Sequence, residues 1–462
     1  MPRKVDNIEL DDNNPEFNYA VDLVRSSGGI VYLTGKAGSG KTTFLKYIRE
    51  ASGKQTVVLA PTGVAALNAG GQTIHSFFRI APSIYLPDDY RLRAEAKPDD
   101  DNQSTIFDNF KYRRPHKKLI KNMELLIIDE VSMVRCDLLD VVDRLLRVFR
   151  EKEDKPFGGV QVLLIGDAFQ LPPIAQGDHW NLLKTHYETP FFFSSKVLTE
   201  YKPKYIELKK IYRQKDQLFI DLLNKIRTNQ VTDEDMQLLN SRFLPAIVKN
   251  ENLNYVIIAT HNNLVDATNK RKLLELETDE VRYEAEITGD FPDSMLPTDK
   301  FLNLKVGAQI MFIKNDAEKR FFNGKIAKIK KLEKDRIIVE QEVGSNIEVK
   351  RFIWHNIHYK WNEISKKIEE TIMGEFCQFP VKLAWSVTVH KCQGLTFDNV
   401  IADIGQSFSP GQVYVALSRC TSLEGLVLKT KINRSAIKTD PNVIKFTELE
   451  DKYENDFQFI LK

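Results

Sequence analysis

Eight consecutive residues, Gly35-Lys36-Ala37-Gly38-Ser39-Gly40-Lys41-Thr42, carry the spacing G-x4-G-K-[ST]. Glycines let a chain bend until its N–H groups line a concavity, and a helix N-terminus behind that bend adds partial positive charge. Lys41 is placed to reach the outer phosphates of a nucleoside triphosphate, ATP among them, and Thr42 to hold Mg²⁺. The backbone of Ala37, Gly38, Ser39, Gly40 and Thr43 would wrap the phosphates. Hydrolysis also needs an acidic group at the end of a neighbouring buried strand, and Leu125-Leu126-Ile127-Ile128 runs into Asp129-Glu130. Asp129 suits the metal, and Glu130 suits orienting or deprotonating water. Gln170, at the tip of another apolar run, could position that water beside the γ-phosphate. A cation meeting the developing charge contributes ~10³ to 10⁵ in rate. Arg213 and Arg419 are the candidates, although position alone would equally make each a surface arginine.

Several elements must deliver these groups. The loop follows the apolar segment Ile30 to Thr34 and precedes a helical pattern from Thr43, with a short helix, Pro15 to Arg25, ahead of both. Thr56 to Ala60 reads as a second strand, followed by the Ala-rich helix Val64 to Asn68. A polar, Pro- and Asp-rich insertion spans Arg79 to Asn122 and ends in the basic run Lys111 to Lys118. Asp137 to Arg150 has helical periodicity, and Val160 to Ile165 is another buried strand. Short apolar strands alternating with helices predict a parallel sheet covered on both faces. A second set is expected from Tyr205 to Leu208 onward, with the helix Leu218 to Arg227, the strand Tyr255 to Thr260 and the helix Asn263 to Glu277. Between about Leu296 and Gln378 the period changes to two, which predicts a small barrel-like β insertion. The α/β pattern returns at Val381 to Gln393, Val400 to Ile404, Gln412 to Arg419 and Gly425 to Lys429. The expected partition is 1–200, 201–295, 296–378, 379–433 and a terminal segment 434–462.

Composition narrows the setting. A chain of 462 residues, 42% hydrophobic and 28% charged, has enough material for several cores. Formal net charge is +2, so binding of nucleic acid must rest on local groups rather than bulk charge. Cys136, Cys377, Cys392 and Cys420 lie far apart, which suggests neither a zinc site nor a disulfide framework and fits a reducing cytoplasm. No apolar run approaches the ~18 residues of a membrane span.

Taken in order, the motifs resemble those of superfamily-one DNA helicases of the Pif (petite integration frequency) and RecD-like branch. The resemblance covers nearly the whole chain. It is carried by Gly35 to Thr42, Ala60 to Ala66, Thr73 to Phe77, Ile128 to Met133, Gly166 to Pro173, Leu208 to Gln214, Ser386 to Thr396 and Tyr414 to Arg419. It implies an α/β protein with two RecA-like P-loop parallel-sheet domains, a small wedge insertion in the first and an SH3-like β-barrel insertion in the second. It also implies ATP in the cleft between lobes, with Gln393 and Gly394 near the γ-phosphate. Single-stranded DNA would cross both lobes, contacting Thr62, Gly63, His75, Thr260, His261, Asn262, Thr388, His390 and Lys391. Phe77 or Phe78 would stack on a base, with packing into the core as the equal alternative for both. The family usually carries an adenine-reading glutamine before the first strand, whereas this sequence has Asn14-Pro15-Glu16-Phe17-Asn18. Asn14, Phe17 or Asn18 would take that place.

The resulting expectation is a monomeric, ATP- and Mg²⁺-dependent helicase moving 5′-to-3′ on single-stranded DNA and opening duplex or forked DNA, folded G-rich DNA included, with no membrane partner. An RNA-directed motor and a DNA-binding ATPase that remodels without unwinding are the alternatives. A small-molecule kinase is disfavoured by Asp129-Glu130 and by the length.

Overall fold

The computed structural model describes residues 13–448 apart from 27, 95–104, 108–113, 176–177, 250–254, 317, 319, 342–344, 406 and 408. Its first lobe is built on six parallel strands: β1 (Ile30–Gly35), β2 (Thr56–Ala60), β3 (Gln72–Thr73), β4 (Leu125–Ile128), β5 (Gln161–Ile165) and β6 (Lys204–Leu208). They lie in the order β3-β2-β4-β5-β1-β6. Every residue of β1, β4 and β5 is buried, as a sheet covered on both faces demands. Helices Pro15–Ser26 and Lys41–Ala51 cover one face with Phe17, Val21, Phe44 and Ile48. Helix Cys136–Arg150 covers the other, its Leu138, Leu139, Val142, Leu145 and Leu146 recurring at helical spacing.

Strand β6 corrects the expected partition at residue 200. It pairs in parallel with β1, from Val31 opposite Lys204 to Gly35 opposite Leu208, so the first sheet takes its edge from chain assigned to the second lobe. The polar insertion packs onto the same lobe. Ile106, Phe107, Leu119 and Ile120 join its core, and helix Arg114–Asn122 rests there. Of the basic run, Lys111, Tyr112 and Arg113 lie outside the described residues. Lys117 sits 5.7 Å from the Phe149 ring centroid, and Lys118 pairs with Glu363.

The second lobe has a parallel sheet of Ser386–Thr388, Val256–Ala259, Val400–Asp403 and Leu426–Leu428, against which helices Gln217–Arg227 and Gln412–Leu417 pack. Its β insertion is wider than 296–378. Strands Glu280–Glu284 and Glu286–Gly289 precede it, and Val381–Leu383 closes a five-stranded antiparallel sheet by pairing with Gln309–Phe312. A long hairpin, Phe352–Asn362 with Lys367–Gln378, leaves this insertion and docks on the first lobe. Tyr359 and Trp361 enter the first lobe's core, the Tyr359 hydroxyl accepts the Val58 N–H at 3.2 Å, and the Ile368 N–H reaches Gln55 Oε1 at 2.7 Å. The C-terminal segment also crosses over. A helical stretch at 441–448 lays the Phe446 ring on Phe193, with centroids 4.3 Å apart and planes within 8°. No helix among the described residues is long and apolar enough to cross a membrane.

Candidate functional site

Apart from Phe17 and Asn18, on the helix ahead of β1, the first-lobe candidates follow the C-terminal end of a parallel strand, where such sheets leave a crevice for ligands. The phosphate-loop residues follow β1, Asp129 and Glu130 follow β4, and Gln170 follows β5, while Arg213 lies just beyond β6, where the chain passes into the second lobe. Thr62 and His75 follow β2 and β3 on the other side of the sheet. One sheet edge therefore serves two tasks at separate places.

The second lobe closes over the loop. Tyr212 N–H donates to the Gly38 carbonyl at 2.9 Å, which brings Arg213 beside Gly38. A Cβ on Gly38, whose φ is +83°, would lie 2.4 Å from Arg213 Cβ, so glycine is required by both backbone conformation and contact. Across the cleft, the Ala37 N–H donates to the Tyr414 hydroxyl at 3.0 Å. Gly411, ahead of the helix carrying Tyr414, makes an equally tight approach, since a Cβ there would sit 2.5 Å from the Gln170 carbonyl oxygen.

Hydrogen bonds join the expected catalytic groups across the lobes. Gln393 Nε2 donates to Glu130 Oε2 at 3.0 Å and to Gln170 Oε1 at 3.4 Å. Arg213 donates to the Ser418 carbonyl at 3.1 Å. Arg419 is 1% exposed and donates to the Val415 carbonyl at 2.9 Å and to Ser418 Oγ at 3.0 Å. It thus lies inside the lobe behind Arg213 rather than at the loop. Burial, then the charge of Arg419, pulls Arg213 down to about 9. Burial, then the neighbouring Glu130, pushes Asp129 up to about 7. Glu130 is raised by burial despite Lys41 and Arg419. Gly394 has φ +78° with open space around its Cα.

The donor set fits a triphosphate and a divalent cation. Lys41 Nζ donates to the carbonyls of Gly35 and Lys36, its own loop. Ser39 Oγ is buried without a hydrogen-bond partner among the described residues. Thr42 opens the helix after the loop and is exposed, while Asp129 and Glu130 crowd two carboxylates together. Thr42 and Asp129 are the residues that would hold Mg²⁺. Beside the loop, the Phe17 ring is enclosed by Phe44 and Tyr47 at 5.0 and 6.0 Å. It supports the site from the core, which corrects its expected role as a direct nucleotide contact. Asn18 is partly exposed on the same helix. Asn14 donates to the Tyr212 hydroxyl at 3.1 Å and accepts the Phe17 N–H at 3.0 Å, so Tyr212, half exposed, is the flat group at the mouth.

A PIF1-like helicase family model matches residues 11–237. The ATP-dependent DNA helicase Pif1 of Bdellovibrio bacteriovorus is 33% identical over 96% of this chain and 92% of its own length. This chain belongs to the PIF1-like helicase family. Among solved structures, Bacteroides sp Pif1 in complex with ADP-AlF4 is 40% identical with a TM-score of 0.87, covering 96% of this chain and 97% of that one. Bacteroides Pif1 bound to ssDNA is 41% identical with a TM-score of 0.65 over the same shares.

The expected contacts to a nucleic-acid strand divide into two groups. Thr62 caps the helix Gly63–Ala69 by accepting the Ala65 N–H at 3.2 Å, and Thr73 caps the next helix in the same way. His75 is partly buried and His390 exposed, and loss of solvation chiefly holds each imidazole below its ordinary pKa. Thr260 Oγ1 lies 2.7 Å from His261 Nδ1, Asn262 opens its helix, and Lys391 is exposed. These can reach a backbone phosphate without reading bases. Others cannot do so as expected. Phe77 and Phe78 are 0% exposed and packed edge-to-face on each other at 4.9 Å, so neither offers a face to a base. Thr388 is 2% exposed and its hydroxyl accepts the Lys391 N–H at 3.3 Å, a turn-holding role. Gly63 stays with the first group: it is partly exposed, although an added Cβ would lie 2.6 Å from the Ser294 carbonyl oxygen of the 3₁₀ turn Asp293–Met295. Three site groups were not legible beforehand: Tyr414 at the loop, Tyr212 at its mouth, and the buried Arg227.

Proposed function

We propose that this chain is an ATP-driven DNA helicase that moves 5′-to-3′ along single-stranded DNA as a monomer and opens duplex and forked DNA. The observation that carries this reading is the single cleft in which Ala37, Gly38, Glu130 and Gln170 of one lobe meet Tyr212, Arg213, Gln393 and Tyr414 of the other. Hydrolysis at such a junction cannot proceed without bearing on how the lobes sit together.

In this reading Lys41 turns from its own carbonyls to the outer phosphates. Glu130 takes up the water's proton, with its carboxylate oriented by Gln393. Arg213 leaves the Ser418 carbonyl to meet charge on the transferred phosphoryl group, and Arg419 supports it from behind. Bound Mg²⁺, held by Thr42 and Asp129, would supply charge neutralisation. The strand runs over the ends of β2 and β3 in one lobe and of the Val256–Ala259 and Ser386–Thr388 strands in the other, gripped by groups that differ between the lobes. Motion of one lobe against the other then shifts one grip relative to its neighbour.

Unwinding of duplexes tailed on either strand tests the assignment, with Lys41→Ala as the variant expected to bind single strands yet neither hydrolyse nor unwind. A requirement for a 3′ tail overturns the polarity. Stimulation of ATP turnover by RNA alone overturns the choice of DNA.

A further inference from the structure

A buried ion pair lies behind the catalytic amides, joining Asp167 of the Gly166 to Pro173 stretch to an arginine outside every motif considered so far. Arg227, on helix Gln217–Arg227 of the second lobe, donates through Nη2 to Asp167 Oδ1 of the first lobe at 3.0 Å. The two residues are 6% and 1% exposed. The guanidinium carbon also sits 3.9 Å from the Phe169 ring centroid, and Glu207 is 3.9 Å from Nη1. Asp167 does more than neutralise Arg227. Its Oδ1 accepts the Phe169 N–H at 3.2 Å, and its Oδ2 accepts Gln170 Nε2 at 3.3 Å.

That last contact fixes a direction. An amide has a donating end and an accepting end. With its NH₂ turned to Asp167, Gln170 presents Oε1 to Gln393 Nε2 at 3.4 Å, and Gln393 in turn gives Nε2 to Glu130 at 3.0 Å. If Gln170 flipped, two NH₂ groups would face each other and Gln393 would have to turn away from Glu130. We infer that Arg227 is a positioning residue for hydrolysis, setting the orientation of Gln170 and Gln393 toward Glu130 by holding Asp167 from the opposite lobe.

The arrangement makes the order of these amides depend on where the second lobe stands. When helix Gln217–Arg227 is seated, Asp167 is held and the chain of donors runs one way. When it withdraws, a buried carboxylate loses its partner, and the group it orients loses its fixed acceptor. A brace serving only to hold the lobes together would not need its carboxylate to bond the water-sensing glutamine.

The inference rests on Glu130 and Gln170 acting in ATP hydrolysis, so the experiment is a kinetic cycle on the full chain with single-stranded DNA present. Arg227→Gln should lower kcat at least about ten-fold with KM for ATP within about three-fold, because the phosphate loop is untouched. Arg227→Lys keeps the charge and should return kcat to within about five-fold of the parent. Gln170→Met also lowers kcat, and combining it with Arg227→Gln should add little further loss, since both act through one amide. Should Arg227→Gln not fold, Asp167→Asn of the same size takes its place in the cycle with the same expectation. A parent-like kcat in Arg227→Gln, or losses that multiply in the double variant, overturns the positioning role. A parent without DNA-stimulated turnover would instead overturn the functional reading itself.

Discussion

The Tyr414 hydroxyl accepts the Ala37 N–H at 3.0 Å, so a side chain of the second lobe bonds an amide of the phosphate loop in the first. Tyr414 is buried, and burial raises its hydroxyl to about 12, so it remains protonated at any working pH. An N–H bonded to tyrosine is one fewer for a phosphate oxygen.

Tyr414→Phe should therefore bind ATP more tightly. A neutral hydrogen bond is worth roughly 0.5–1.5 kcal/mol, about two- to ten-fold in affinity. Titration with a fluorescent nucleotide would show it, and weaker binding in Tyr414→Phe would mean that the hydroxyl assists rather than competes.

Arg213→Ala should leave the KM for ATP within a few-fold while DNA-stimulated kcat falls by ~10³, the scale of an arginine that meets transition-state charge. The residue bonds Ser418 and touches Gly38 through its Cβ, so binding loses little when the guanidinium goes. Unchanged turnover would remove it from the mechanism.

Tyr359→Ala tests whether the long hairpin is part of the first lobe's core. The ring is 7% exposed and lies 6.2 Å from Phe77, and its hydroxyl serves Val58. Truncation leaves a cavity and an orphaned N–H, costing ~3–5 kcal/mol in denaturant unfolding. A loss below ~1 kcal/mol would show that the hairpin is undocked in solution.

His75 and His390 give a pH dependence. Each has a folded pKa depressed below the ordinary value, chiefly by loss of solvation. Their stabilising contribution is complete above the unfolded pKa and is lost as pH falls through the folded one. The parent's melting temperature should thus drop between pH 7.5 and 5.5, and His75→Gln/His390→Gln should drop less. An equal drop in both proteins would assign the acid sensitivity elsewhere.

Much of this site could be read in order along the chain because its first-lobe groups follow strands. Local apolar runs ending in Gly35, Asp129 and Gly166 mark where a parallel sheet delivers polar residues. What sequence could not supply was partnership at a distance. Strand Lys204–Leu208 has the same apolar character whichever sheet it joins, so its pairing with β1 was invisible. Phe77 and Phe78 sit among polar residues as a stacking surface would, yet the hairpin and helix Arg114–Asn122 cover them: His116 approaches the Phe77 ring at 5.2 Å and Tyr359 at 6.2 Å. Arg227 ends an ordinary amphipathic helix, and only the fold sets it against Asp167, 60 positions earlier.

The stacking of Phe446 on Phe193 bears on how the protein comes off the ribosome. The first sheet can close once residue 208 has emerged, but the aromatic cluster of Tyr32, Phe192 and Phe193 gains the Phe446 ring only when the C-terminal helical stretch arrives. At ~5–20 residues per second, the roughly 240 residues between take about 10 to 50 s to make. Throughout that interval the lobe lacks one wall of its aromatic cluster, so a chain shortened before Phe446 should aggregate more readily than the parent.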